Sequence, residues 1–171
     1  KTAGIPYRVP PPHLLGERLA AVLAVLYLIF NEGYRASQGD DLIRHDLCAE
    51  AIRLSTLLNH LLAGEPAQTH HAEAMGLLAL MLLHHARRDA RLSQAGELLT
   101  LAEQDRSLWH EPEIRAGINL LDKAMARRQP GLYQIQAAIA ALHVEAPTAD
   151  ATDWSQIAAL YGALYRLQPT P

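Results

Sequence analysis

The sequence predicts an all-α fold. Half of the 171 residues are hydrophobic, but one is Phe and two are Trp, so Leu and Ala fill most of the apolar positions. That composition favours helices over sheets. Apolar residues also recur at steps of three and four along most of the chain, which is the period of an amphipathic helix. We therefore expect about six or seven helices, arranged as antiparallel hairpins in a bundle.

Residues 1–13 are predicted to form an extended proline-rich strap. Four of the ten prolines lie there, and proline removes a backbone donor and disfavours a helix at the residue before it. Tyr7 and Arg8 are candidate contacts with a partner, because a strap that is already ordered loses little entropy when it docks. The alternative is a plain linker, with Tyr7 packed against the first helix.

Helix one is predicted from about Leu14 to Phe30, with Gly33 as a left-handed residue after its end. Its run LAAVLAVLYLIF is shorter than the roughly 20 residues that cross a bilayer, so we expect a central helix buried on all sides. Asp40 or Asp41 is expected to cap helix two. The apolar face of helix two is predicted to consist of Leu47, Ala51, Leu54, Leu58 and Leu61.

Helix three is predicted at about 72–87, with Met75, Leu78, Met81 and Leu82 on its apolar side. The stretch that follows is the least regular, and residues 92–102 are compatible with either a helix or an extended segment. Pro112 then marks the first turn of another helix, which closes at Arg127 and Arg128. The inward positions of that helix are predicted to be Ile114, Ile118, Leu121 and Met125.

Residues 129–171 are predicted to form a helical hairpin. Asp153 is expected to cap its second helix, with Gln156 three residues later as in a capping box. The inner side of that helix is predicted to carry Ile157, Leu160, Tyr161, Leu164 and Leu167. Small and large residues alternate as in a tetratricopeptide unit. We thus divide the chain into the strap (1–13), a helical bundle (14–128) and a tetratricopeptide-like hairpin (129–171), cut off at Pro171.

Charge and motifs argue against several functions. The net charge is −3 and no basic stripe is present, so direct DNA contact is not expected. No nucleophile motif, glycine-rich phosphate loop or HExxH metal motif occurs, so we expect no catalytic residue, no cofactor and no metal. A metal site assembled from His45, Glu50, His60 and His84 remains the alternative. The single Cys48 excludes an internal disulfide and is predicted to be a small buried hydrophobe.

Two sets of residues are candidate sites. Trp109, beside Arg106, is interpreted either as a contact with a partner or as a plug of the core that fixes its loop. The second set is a predicted buried polar cluster of Asn31, Glu32, Asp105 and Arg106. It rests on the need of a carboxylate at a helix end for a basic partner.

Five stretches resemble one family over nearly the whole chain. They are IPYRVPPPHLLGERLAAVLAVLYLIFNEGYRAS, DLCAEAIRL, GLLALMLLHHARRDAR, GELLTLAEQDRSLW and YQIQAAIAALHVEAPTADATDWSQIAALY. Together they are similar to the C-terminal extension of extracytoplasmic-function sigma factors, which direct bacterial RNA polymerase to promoters. Two positions depart from that pattern: an acidic residue commonly stands where His85 is, and a proline where Gly16 is.

The resemblance implies a cytoplasmic regulatory region that acts in transcription initiation through protein contacts. Its implied partners are the DNA-binding domains of the same polypeptide, the RNA polymerase core, or a separate regulatory protein, with no membrane and no DNA contact of its own. Two alternatives stay open. One is a free-standing helical adaptor unrelated to transcription, and the other is a helical ligand- or metal-binding enzyme built around the histidines.

Overall fold

The computed structural model describes residues 12–35, 43–63 and 68–169. Within these ranges the chain forms six α-helices and two 3-10 turns, with no strand, which confirms the predicted all-α class. The helices are α1 (Pro12–Tyr34), α2 (His45–Leu62), α3 (Gln68–His85), α4 (Glu111–Met125), α5 (Leu132–Glu145) and α6 (Trp154–Leu167). The two 3-10 turns, Arg88–Ala90 and Arg106–Leu108, lie between α3 and α4.

The central helix is α3, not α1. On one side α3 shares a core with α1 and α2 through Ala74, Leu77 and Met81. On the other side it shares a second core with α4 and α5 through Ala79, Leu80 and Leu83. A helix that is apolar on all sides needs such neighbours on all sides.

The prediction that helix one is buried all round is wrong. Its Leu19, Leu23, Leu26 and Phe30 face the core, but Val22, Val25 and Leu28 are 44%, 55% and 66% exposed. Within the described residues α1 packs mainly against α2 and α3, and Tyr27 also contacts Tyr133 of α5. The run of apolar residues in α1 therefore exceeds what these helices cover.

Gly33 is also not the left-handed residue predicted, because it lies within α1. A Cβ atom at Gly33 would stand 2.7 Å from the backbone nitrogen of Cys48. The carbonyl of Gly33 accepts a hydrogen bond of 2.8 Å from the backbone N–H of Arg44. The glycine thus allows the end of α1 to approach the start of α2.

The buried face of α2 differs from the predicted one. It consists of Cys48, Ala51, Ser55, Asn59 and Leu62, whereas Leu61 is exposed. The side-chain amide of Asn59 donates to the carbonyls of Ser55 and Ala74, at 2.9 and 3.0 Å. The predicted cap is wrong as well, since α2 begins at His45 with Arg44 at the capping position; Asp40 and Asp41 lie outside the described residues.

Residues 92–102 follow the extended alternative. Leu92 and Leu98 form an isolated antiparallel bridge, and Gly96 turns the chain between them with a φ of 81°. Such a positive φ strains any residue with a Cβ atom. The Ser93 hydroxyl accepts hydrogen bonds from the backbone N–H groups of Ala95 and Glu97.

The later helices begin as predicted and partly differ in their inner faces. Pro112 stands in the first turn of α4, and the carboxylate of Asp153 accepts a 2.9 Å hydrogen bond from the backbone N–H of Gln156. Met125, Tyr161 and Leu167 were expected inside but are exposed. The division of the chain at residue 128 and the tetratricopeptide-like character of α5 and α6 stay predictions.

Candidate functional site

The densest polar region lies where the last turns of α3 and α5 meet the irregular segment 86–110. Arg87 and Arg91 are buried there, and Arg106 is half-buried. Arg87 stands two residues after the end of α3, while Arg106 opens the second 3-10 turn. Three guanidinium groups therefore gather around one end of the bundle, which attracts anions and repels cations.

Tyr34, at the end of α1, holds two of these arginines. The guanidinium of Arg91 lies 3.4 Å from the centre of the Tyr34 ring and donates to the Tyr34 carbonyl. Nη2 of Arg87 donates to the Tyr34 hydroxyl at 3.2 Å and to Nδ1 of His84 at 2.9 Å. The aromatic ring of Tyr34 and the neutral acceptors on Tyr34 and His84 thus stabilise the charges of Arg87 and Arg91.

Arg106 joins the irregular segment to the end of α5. Its Nη1 donates to the carbonyl oxygens of His143 and Ala146, at 3.2 and 2.8 Å. These carbonyls lie at a helix C-terminus, where acceptors have no partner within the helix. The guanidinium also lies 4.3 Å from the centre of the Trp109 ring. Trp109 is buried, which matches its interpretation as a plug of the core.

The predicted buried polar cluster is wrong at two of its four positions. Asn31 and Asp105 are exposed, and Glu32 is half-buried. Asp105 accepts hydrogen bonds from the backbone N–H and the hydroxyl of Ser107, at 2.9 and 2.7 Å, and so caps the 3-10 turn. The acceptors of Arg106 are backbone carbonyls, which a sequence pattern does not reveal. The candidate contacts Tyr7 and Arg8 lie outside the described residues.

A second polar group, which the sequence analysis missed, joins the end of α3 to the start of α4. The carboxylate of Glu113 lies 3.0 Å from Nδ1 of His85 and 2.8 Å from Nη1 of Arg88. Burial lowers the pKa of His85, although the nearby Glu113 carboxylate opposes that shift.

A cavity of about 290 Å³ opens between α3, α5 and α6 beside the arginines. Its polar lining includes His84, Arg87 and His143. Desolvation, and then the charge of Arg87, lower the pKa of His84 to about 3. Because an arginine can only donate, Nδ1 of His84 accepts from Arg87, and the neutral ring carries its proton on Nε2.

His84 is expected to make the free energy of unfolding fall as the pH falls from 7 to 5. Its folded pKa of about 3 lies below the ordinary 6.5, so the unfolded chain takes up a proton that the folded chain refuses. The positive groups that oppose protonation are Arg87 and Arg91, together with His143. Urea unfolding at both pH values should show that His84→Asn loses less free energy of unfolding between pH 7 and pH 5 than the parent chain does. The exposed His60 supplies the control. If His84→Asn and His60→Asn lose the same free energy of unfolding between the two pH values, the prediction fails.

Other chemistry finds less support in the described ranges. There, no group of three or more His, Cys, Asp and Glu residues could hold a metal ion. Cys48 is buried with Sγ 3.7 Å from the Phe30 carbonyl, and burial raises the pKa of its thiol to about 11. A thiol so protected is a poor nucleophile, which confirms its predicted place as a buried hydrophobe.

Residues 18–125 match the model of a family of unknown function, DUF6596. The match covers more than half of the chain. The chain belongs to this family. The DUF6596 match begins in α1 and ends with α4, so it takes in Tyr34, the arginines and the whole irregular segment.

The chain is also 52% identical, over 169 residues, to "Uncharacterized protein R00370" of Rhizobium meliloti (strain 1021). That alignment covers 99% of this chain and 38% of the relative, so the chain spans less than half the length of that protein. No solved structure matches the chain significantly. None of the helices in the described ranges combines the length and the apolar character that crossing a bilayer requires.

Proposed function

We propose that the chain is a regulatory, protein-interaction region of an RNA polymerase sigma factor that acts in transcription initiation. The proposal rests on the resemblance of five sequence stretches to the extension of such factors. The relative from Rhizobium meliloti is more than twice as long as the aligned region, which leaves room for DNA-binding domains in the same kind of polypeptide. Such domains are basic and the net charge of this chain is −3, so the charges of the two are complementary.

One structural observation supports a role in binding protein. Trp154, Tyr161 and Tyr165 are 61%, 57% and 60% exposed. They stand seven and four residues apart, so they form one stripe along α6, which we call the aromatic stripe. More than half of each side chain is exposed, although Trp154 also contacts the ring of His143 and Tyr161 lines a cavity beside α5. Tyr and Trp are the residues most often found at the energetic centre of protein interfaces.

The partner proposed for the aromatic stripe is the pair of DNA-binding domains of the same sigma factor. Docking there would change how readily those domains engage a promoter. This role needs no catalytic residue, cofactor or metal. It requires only that docking of the region on the DNA-binding domains be coupled to the binding of those domains to a promoter.

Calorimetric titration of the chain into those DNA-binding domains, expressed separately, tests the proposal. We expect saturable binding that weakens at least about tenfold in Tyr161→Ser/Tyr165→Ser, since truncation of interface anchors costs about 2 kcal/mol or more. Leu61→Ser, which changes an exposed apolar residue of α2, should bind as the parent chain does. Tyr7→Ala and Arg8→Ala ask in the same assay whether the strap contributes.

Two outcomes would contradict the proposal. Absence of binding at high concentration would exclude the DNA-binding domains as partners, and the polymerase core or a separate protein would become the next candidate. Binding that the serine variants leave unchanged would remove the aromatic stripe from the interface.

A further inference from the structure

The cavity between α3, α5 and α6 has a regular lining. From α3 and the turn after it come Leu80, His84 and Arg87, which are spaced four and three residues apart. From α5 it takes Gln136, Ile139, Ala140 and His143, which are spaced in the same way. Tyr161 and Leu164 of α6 and Leu101 of the irregular segment complete it. One face of each helix thus points into a common space.

This cavity has a cationic end and a mainly apolar middle. His84, Arg87 and His143 stand at or after the last turns of α3 and α5. Leu80, Ile139 and Ala140 stand about one turn earlier, and Gln136 stands one turn before Ala140. No Asp or Glu is among the residues that line the cavity. A ligand would therefore meet positive charge and hydrogen-bond donors at one end, and mainly hydrocarbon beyond it.

Arg87 supplies a donor that the protein does not use. The residue is 5% exposed, and within the described part of the chain its Nε has no hydrogen-bond partner. Nη2 is occupied by Tyr34 and His84. A buried charged group with an unused donor is costly, because desolvation is not repaid. The lining of the cavity holds no carboxylate, so an anion beside Arg87 would supply a counter-charge.

We propose that this cavity binds a small carboxylate with an apolar body, such as an aryl or short acyl acid. The carboxylate lies against Arg87, whose positive charge strengthens the hydrogen bonds that a carboxylate accepts. The Nε2–H of His84 is a second donor at the same end. The apolar body lies along Leu80, Ile139 and Ala140. The proposal does not rest on the protein partner proposed above, although Tyr161 belongs to both the cavity and the aromatic stripe.

The size of the cavity limits the ligand. At about 290 Å³ it stands near the lower limit of ligand pockets, which run from roughly 300 to 1,000 Å³. One or two fused rings, or a short chain, fit that space. A bare inorganic anion would leave the aliphatic lining unused, and a neutral apolar molecule would leave the charge of Arg87 without an anion.

Calorimetric titration of the chain with 2-naphthoate tests the site. We expect saturable binding of one molecule per chain. The matched alcohol, 2-naphthalenemethanol, should bind at least about tenfold more weakly, because it lacks the charge that strengthens a hydrogen bond to arginine. Inorganic phosphate, which has charge but no apolar body, should show no saturable binding.

Two variants locate the binding. Arg87→Gln removes the charge, and Leu101→Trp fills the cavity from the irregular segment; each should weaken 2-naphthoate at least about tenfold. The matched controls are Arg115→Gln, which changes an exposed arginine of α4, and Leu57→Trp, which changes an exposed leucine of α2. Both controls should bind as the parent chain does. Circular dichroism verifies the fold of each variant.

Three results would overturn the proposal. One is the absence of saturable 2-naphthoate binding. Another is binding that Leu101→Trp leaves unchanged, which would place the ligand elsewhere. The third is equal affinity for the acid and the alcohol, which would leave an apolar cavity with no role for Arg87. If Arg87→Gln fails to fold, Leu101→Trp and the two ligands still decide the question.

Discussion

Replacing Gly76 with alanine is expected to lower the free energy of unfolding by about 2 to 3 kcal/mol, the range of an overpacked core. Gly76 lies in the middle of α3, where it meets α5. A Cβ atom there would stand 2.7 Å from Cγ of Gln134 and 2.8 Å from its backbone nitrogen. The first atom belongs to a side chain, but the second is backbone and moves only if α5 moves. The clash exceeds the gain in helix propensity, which is about 1 kcal/mol.

Gly162→Ala is the matched control for Gly76→Ala. Gly162 lies in α6, where the nearest atom to an added Cβ would be Nη1 of Arg166 at 3.7 Å. With room for the methyl group, alanine should stabilise the chain by about 0.5 to 1 kcal/mol. Urea unfolding of the two variants therefore should give shifts of opposite sign. Equal shifts would mean that α3 and α5 do not pack as closely as described.

Replacing Glu73 with alanine is expected to cost a similar amount, about 2 to 3 kcal/mol, because hydrogen bonds to a charged group are lost. The carboxylate of Glu73 reaches from α3 to the first turn of α5. It accepts from the backbone N–H groups of Tyr133 and Gln134, at 3.1 and 3.3 Å, and from the side chain of Gln134 at 2.9 Å. It therefore caps α5 from outside that helix, where a negative charge is favoured.

Glu50→Ala is the control for Glu73→Ala. Glu50 pairs with Arg53 on the exposed surface of α2, where such pairs contribute little. Glu73→Gln should fall between the two, since its amide oxygen can still accept one bond. Chemical unfolding gives all three values. A Glu73→Ala loss no larger than that of Glu50→Ala would show that α5 is capped by other means.

The sequence predicted the positions of the helices better than it predicted which helices pack against each other. Periodicity located six helices, and Pro112 and Asp153 marked two of their starts correctly. It did not predict that α3 would be central, since an apolar run in α1 and one in α3 have the same composition signal. What separates them is the arrangement of partners, which depends on close contacts at Gly33 and Gly76. Such contacts leave no periodic trace in a sequence.

The polar region was harder to predict for a related reason. The sequence suggested that Glu32 needs a basic partner, and Arg106 was expected to join it together with Asp105. In the fold, Asp105 caps its own turn while Arg106 binds the carbonyls of His143 and Ala146. Backbone acceptors of that kind exist only once α5 has been placed. The lining of the cavity, including Arg87, likewise comes from three helices that are distant in sequence.

The two-sided core of α3 bears on where this family's domain ends. The family match stops at residue 125, yet Ala137, Ala140 and Ala141 of α5 belong to the same core as Leu83 and Leu121. A fragment trimmed to the matched residues would leave part of α3 in contact with water. We therefore expect a stably folded fragment to extend past the matched residues, at least to Glu145.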